Sequence, residues 1–234
     1  MNLPFLAFYS ALIVTVFLGM KHLLRRRELA EQAEQPAGDP YAIAYLRGGW
    51  LELIGVAAVS LVDRGLLAVT EGGLRSTGLA AGSSRIEQEL LAFCERGRSF
   101  HEFFTARHFD GAVKEVEQEL RQMRLMPDAT LLAGRWKLFF AGAAVLLFVA
   151  ATQIGLTISR GGSDVEPLAW LAIWGVVMLA LFPINHRTAR GDAFVNEMSR
   201  FSGALDVAMT AAVRGVTALP QERYGWTRQL SPPM

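Results

Sequence analysis

The runs LFFAGAAVLLFVAATQIGLTIS (138–159) and LAWLAIWGVVMLALFPIN (168–185) are uncharged, apolar and separated by only eight residues, and MNLPFLAFYSALIVTVFLGM (1–20) shares their character. At about 1.5 Å of rise per residue, a helix of about 18–22 residues covers about 27–33 Å, close to the roughly 30 Å hydrocarbon thickness of a bilayer. Each run is long enough to cross. The expected fold is an all-α membrane protein with three transmembrane helices in a one-plus-two arrangement, whose sizeable soluble segment lies between the first and second. Composition agrees: 52% hydrophobic with 19% charged residues is too apolar for an ordinary soluble domain and too charged for a bundle of spans alone.

Charge on either side of these runs sets the orientation. Lys21, Arg25, Arg26 and Arg27 follow the first run, Arg135 and Lys137 precede the second, and Arg187 and Arg190 follow the third. The intervening loop, 160–167, offers Arg160 against Asp164 and Glu166. The positive-inside bias therefore puts the N-terminus outside and the soluble segment and tail in the cytoplasm. Residues 1–10 carry no charged side chain, so the first run lacks the basic start of a secretory signal and reads as a retained anchor. The expected order is transmembrane helix 1 at 1–24, a basic juxtamembrane linker at 25–38, a cytoplasmic domain at 39–134, transmembrane helix 2 at 135–159, an external loop at 160–167, transmembrane helix 3 at 168–186, and a tail at 187–234. Cys94 is the single cysteine, which excludes a disulfide framework, and it reads as a small buried hydrophobe.

The linker begins as a polar helical continuation, 28–35, and breaks at Pro36-Ala37-Gly38. Asp39-Pro40 then supplies an N-cap with proline at the first helical position, and a short helix over 41–47 closes at Gly48-Gly49. A second helix, 50–64, places Leu51, Ile54, Ala58, Leu61 and Val62 on one face and stops at Gly65. Two short strands, 66–70 and 74–77, flank Glu71-Gly72-Gly73 as a hairpin. Helix, helix, hairpin is the outline of a winged helix. The second half is helical: Ser84 and Glu87 have capping-box spacing before Ile86, Leu90, Leu91 and Phe93, the aromatics Phe100, Phe103, Phe104 and Phe109 follow, and 111–125 is amphipathic through Val113, Val116, Leu120 and Met123.

The string Asp39-Pro40-Tyr41-Ala42-Ile43-Ala44-Tyr45-Leu46-Arg47-Gly48-Gly49, with Val59 to Leu67 (VSLVDRGLL), resembles the bacterial membrane-protein family called "near uncomplex". The resemblance extends to Arg187-Thr188-Ala189-Arg190-Gly191 and to Gly215 through Pro220 (GVTALP), and so covers most of the chain. It implies an N-terminal span, a cytoplasmic domain opening with this string and a pair of later spans in a bacterial inner (plasma) membrane, but it brings no biochemical activity. Many members end in a Gly- and Cys-rich tail, whereas this chain ends Ser231-Pro232-Pro233-Met234.

Chemistry-bearing motifs are sparse. A DNA-reading helix needs cations and amides facing outward, but residues 50–64 are mostly apolar. Residues 39–134 hold ten Lys/Arg against thirteen Asp/Glu, a net charge of −3, opposite to the basic footprint of phosphate binding. Nucleic acid is disfavoured as a partner. His101-Glu102 and His108 are spaced seven apart rather than the four that place two imidazoles on one metal, and the Gly-Gly pairs have turn or cap explanations. The pairs Glu87/Glu89 and Glu115/Glu117 sit two apart, point to different helix faces, and read as solvated surface. No catalytic, cofactor-binding or metal-ligating set is identified, and the expected protein is not an enzyme.

Within the apolar runs the polar side chains are Thr15, Thr152 and Gln153, with Asn185 and His186 at the end of the third. Ionisable groups at depth mark pumps and transporters. None occurs here in mid-run. Gly142, Ala143, Ala144 and Gly175 are expected to let helices approach closely. In the tail, about 201–219 is apolar but interrupted by Asp206 and Arg214, with Leu205, Ala208, Met209, Ala212 and Val216 on one face. An amphipathic helix lying on lipid or docking on the cytoplasmic domain fits better than a fourth span.

The expected function is that of a non-enzymatic scaffold, assembly factor or accessory subunit that presents its winged-helix-like domain to a protein partner, with the bilayer and a second copy of the chain as further contacts. Candidate partner-binding residues are Tyr41, Tyr45, Arg47, Trp50, His101 and His108. The alternative is an accessory factor for modification or export of a neighbouring-gene peptide, held in a groove lined by Tyr41, Tyr45, His101 and His108. A tethered DNA-binding regulator ranks third.

Overall fold

The computed structural model describes residues 3–30, 38–79, 82–105, 107–161, 165–184, 187–200 and 205–230. The expected break at Pro36-Ala37, loop residue Asp164, the Asn185-His186 pair and Pro232-Pro233 lie outside them. In chain order the elements are α1 (Leu3–Ala30), α2 (Pro40–Gly48), α3 (Trp50–Asp63), β1 (Leu67–Thr70), β2 (Gly73–Ser76), α4 (Arg85–Phe93), β3 (Arg98–Ser99), α5 (Phe100–Thr105), α6 (Asp110–Gln122), α7 (Ala129–Ser159), α8 (Glu166–Ile184), α9 (Ala189–Arg200), α10 (Val207–Arg214) and α11 (Gln221–Tyr224), with 3-10 turns at Arg107–Phe109, Val216–Ala218 and Gly225–Leu230. The chain is mostly helical with one small antiparallel sheet in the order β1-β2-β3. It divides into two compact units, 1–32 with 127–190, and 33–126 with 191–234.

The first unit is a three-helix bundle. Tyr9, Met20, Phe139, Leu146, Ala150, Leu168, Ala172 and Leu179 form its core. Its glycines set how closely the helices approach: a Cβ on Gly142 would fall 2.8 Å from Met20 Sδ, and one on Gly175 would fall 3.0 Å from Ile13 Cδ1. Ala143 is buried beside Gly142, whereas Ala144 faces outward. Tyr9 donates its buried hydroxyl to the Leu146 carbonyl at 2.9 Å, and Thr15 and Thr152 each donate to a carbonyl one turn back in their own helix. The segments Pro4–Glu28 and Ala129–Ser159 are long and apolar enough to cross a membrane, while the apolar part of α8, Glu166–Leu181, is shorter. Among the described residues nineteen large hydrophobic side chains are exposed, and seventeen of them belong to α1, α7 and α8. A helical bundle in water would turn those faces inward.

At one end of this bundle lies a buried ion pair. Arg135 on α7 donates from Nε (3.1 Å) and Nη2 (2.7 Å) to Glu28 Oε1 on α1, and Nη2 also donates to the Arg187 carbonyl at 2.8 Å. Glu28 Oε2 accepts from the Ala189 backbone N–H at 2.5 Å. The end of α1, the start of α7 and the start of α9 are therefore tied by one guanidinium and one carboxylate. Arg135, counted from sequence among the cations that set the orientation, is 4% exposed.

The second unit is built around α3, in which Leu53 through Val59 and Leu61 are all buried. Asp39 caps α2 by accepting from the Tyr41 and Ala42 N–H groups, with Pro40 at its first turn. The hairpin pairs Leu67 with Ser76 and Thr70 with Gly73, leaving Glu71-Gly72 as a two-residue loop. Gly73 belongs to the strand rather than to the turn, for a steric reason: a Cβ there would lie 2.0 Å from the Arg98 carbonyl oxygen of β3. Ser99 precedes α5, and its N–H and hydroxyl both donate to Glu102 Oε1, the carboxylate half of a capping box.

The tail completes this unit. The helix expected near 201–219 is shorter, because Asp206 is its N-cap, accepting from Met209 N–H, and Gly215 at φ +100° ends it directly after Arg214. Both charges that interrupt the apolar pattern are thus terminal. Ala211, Ala212, Val213, Val216 and Leu219 are buried in the same core as α2 and α3. Gly55 on α3 makes room for this, since a Cβ there would meet Val216 Cγ1 at 3.2 Å. Further on, Trp226 stacks on Phe100 with ring centroids 6.0 Å apart, and the Tyr224 hydroxyl donates to Asp63 at 2.8 Å. The folded domain is therefore discontinuous in sequence. Its first segment ends at Met126, before α7 starts under the Asp128 cap.

Candidate functional site

Four of the six candidate residues sit on α2 and the first turn of α3, and the two tyrosines among them tie this helix pair to its neighbours. The Tyr41 hydroxyl donates to Glu87 on α4, and the Tyr45 hydroxyl donates to Glu117 on α6. Burial first, then the adjacent carboxylate, pushes both phenols well above their ordinary value. Arg47 pairs with Glu52 and lies against Gly215, where a Cβ would come 2.6 Å from Nη1. Trp50 is half-buried against the core.

Glu87 is the centre of this architecture and corrects the expectation of a solvated carboxylate, being 1% exposed. Besides Tyr41, it receives Arg64 Nη2 at 2.5 Å and the Ser83 N–H and hydroxyl at 2.7 and 2.8 Å. Burial alone would raise its pKa, but the hydrogen bonds from Arg64, Tyr41 and Ser83 outweigh that and lower it to about 2. Ser84 caps the helix as its spacing implies, but the Glu87 carboxylate reaches the residue before the cap. The spacing identified the helix start and could not identify the partners, which come from α2 and the end of α3. Glu89, Glu115 and Glu117 are less enclosed and pair with Arg85 or Arg121 on or near the surface.

The two histidines lie elsewhere. His101 is exposed on α5, and His108 is exposed on the turn Arg107–Phe109, its ring 5.6 Å from Phe93 and 5.8 Å from Phe109. No hydrogen bond or ring contact among the described residues joins either histidine to Tyr41 or Tyr45, whose hydroxyls are directed to carboxylates. Cys94 is buried, and burial pushes its thiol up to about 12, which leaves it unreactive near neutral pH.

What remains exposed and apolar on the second unit is small and localised. Val69 on β1 and Leu79, three residues beyond β2, are its exposed large hydrophobic side chains among the described residues. β1 is an edge strand whose last three residues are exposed, so the hairpin offers both apolar side chains and unpaired backbone groups. Sequence reading assigned the hairpin but gave Val69 and Leu79 no role, because exposure is not encoded in so short a pattern. No protein-family model, curated protein or solved structure matches the chain.

Proposed function

We propose that this chain is a membrane-anchored interaction protein of the bacterial inner membrane: a three-span bundle that holds a winged-helix-like domain at the cytoplasmic face, where the hairpin docks a protein partner. The membrane reading is supported by the outward apolar faces of α1, α7 and α8 and by their flanking aromatics. Trp136, near the start of α7, and Trp170, in the second turn of α8, are both exposed. Along an antiparallel hairpin they lie about 25–30 Å apart, the spacing of the two interfacial aromatic belts. The winged-helix-like reading is supported by the order α2, α3, hairpin. The buried position of α3 weighs against DNA reading. The resemblance to the "near uncomplex" family at 39–49 agrees with the same layout.

The observation that carries the interaction role is the exposed hairpin edge with Val69 and Leu79, on a domain whose other described large apolar side chains are buried or partly buried. Isolation of the full chain in mild detergent, followed by mass spectrometry and reconstitution from purified components, tests it. A stoichiometric partner lost on Val69→Asp with Leu79→Asp is the expected result. A chain that emerges alone in repeated isolations would sink the proposal.

A further inference from the structure

We propose that the C-terminal end of α1 is a binding site for the headgroups of anionic phospholipids; this rests on the membrane reading above. From Leu3 to Met20 the helix carries no charge, and within the next seven residues come Lys21, His22, Arg25, Arg26 and Arg27, all exposed. Among the described residues the acid that follows is Glu28, and it does not neutralise them. Glu28 is buried and already engaged by Arg135 and by the Ala189 N–H. Among the described residues no hydrogen bond or ion pair takes up Lys21, Arg25, Arg26 or Arg27.

Helical geometry places this charge usefully. At 3.6 residues per turn, Lys21, His22, Arg25 and Arg26 fan over about 140° of the helix surface. That arc continues the side of exposed Val14 and Leu18, and faces away from Ile13, Val16 and Met20, which pack into the bundle. An apolar face that runs into exposed cations within one turn matches a lipid, whose acyl chains run into a phosphate. The Glu28–Arg135 pair also sets exposed Trp136 and Lys137 of α7 near the level of Arg26 and Arg27, adding an interfacial ring and a further cation. Flexible Lys and Arg stems let each charge reach the headgroup plane.

Native mass spectrometry of the detergent-solubilised full chain, titrated with dioleoyl phosphatidylglycerol or dioleoyl phosphatidylcholine, tests the site. The wild type is expected to bind the anionic lipid at least about tenfold more tightly, since each nearby cation is worth about a fivefold preference. Replacing Lys21, Arg25 and Arg26 by Gln should bring the ratio to within about threefold, while Arg25→Lys with Arg26→Lys should keep it. Equal binding of the two lipids by the wild type, or an unchanged ratio in the Gln variant, would overturn the proposal. So would competition by millimolar inorganic phosphate, which would mark a free-anion site. A chain that stays soluble without detergent and binds neither lipid would instead remove the membrane reading, so the two failures are distinguishable.

Discussion

Glu87 is the residue at which chemistry and stability meet most directly. Its carboxyl titrates near 2 in the folded domain against an ordinary 4.5, so the stability it contributes is complete above about pH 4.5 and is lost as pH falls toward 2. Glu87→Gln should cost roughly 2–3 kcal/mol at pH 7, because Arg64 and the Ser83 donors lose a charged acceptor in a buried site. It should also flatten the pH dependence of stability between 5 and 2. Denaturant unfolding followed by tryptophan fluorescence at several pH values measures both. At the bundle end, Arg135→Gln alone should destabilise by roughly 3 kcal/mol, since it leaves the buried Glu28 carboxyl without its guanidinium partner. The double variant with Glu28→Gln should be no worse than the single one, read from thermal unfolding in detergent; additive losses would contradict the coupling.

Among the elements, α10 decides what the domain is. Its Ala211 and Ala212 pack fully buried with α2 and α3, so Ala212→Arg should open that seam, and removal of residues 205–234 should expose the apolar side of α3. Limited proteolysis of the full chain and of both variants should show rapid cleavage within 39–126 in the variants only. Gly55→Leu should act in the same direction with a smaller effect, through Val216. Much of this layer is legible in sequence where the signal is local. The Asp39-Pro40 cap, the existence of α3 and a hairpin turn at Glu71-Gly72 follow from near-neighbour chemistry, whereas Gly73 joins the strand and the buried side of α3 takes in Leu53, Val56, Ala57 and Val59 rather than Leu51 and Val62. The rest depends on partners distant in sequence. An alanine-rich face such as that of α10 has the same pattern whether it meets lipid or protein, and only Gly55 and the small residues opposite select protein. A two-residue strand such as β3 has no periodicity to detect. The burial of Glu87 and of Arg135 was equally hidden, because each is made tolerable by groups on other elements.

For the whole molecule, the chain passes from the second unit into α7 and α8 and then returns to complete that unit's core. Residues 33–126 therefore lack α10 until residues 127–190 have been made, and folding of the domain should depend on completion of the α7–α8 hairpin. A chain stopped after residue 190 should be degraded faster than the full chain in pulse-chase labelling. In the proposed topology both parts of the domain lie on one side of the membrane, and the turn between α7 and α8 lies on the other. In a Cys94→Ala background, single cysteines at Arg160, Ser76 and Arg228 can be labelled with a membrane-impermeant maleimide in spheroplasts and in inverted vesicles. Labelling is expected at position 160 in spheroplasts only, and at 76 and 228 in inverted vesicles only. Labelling of 76 and 228 from opposite sides, or of 160 from the same side as both, would contradict that topology.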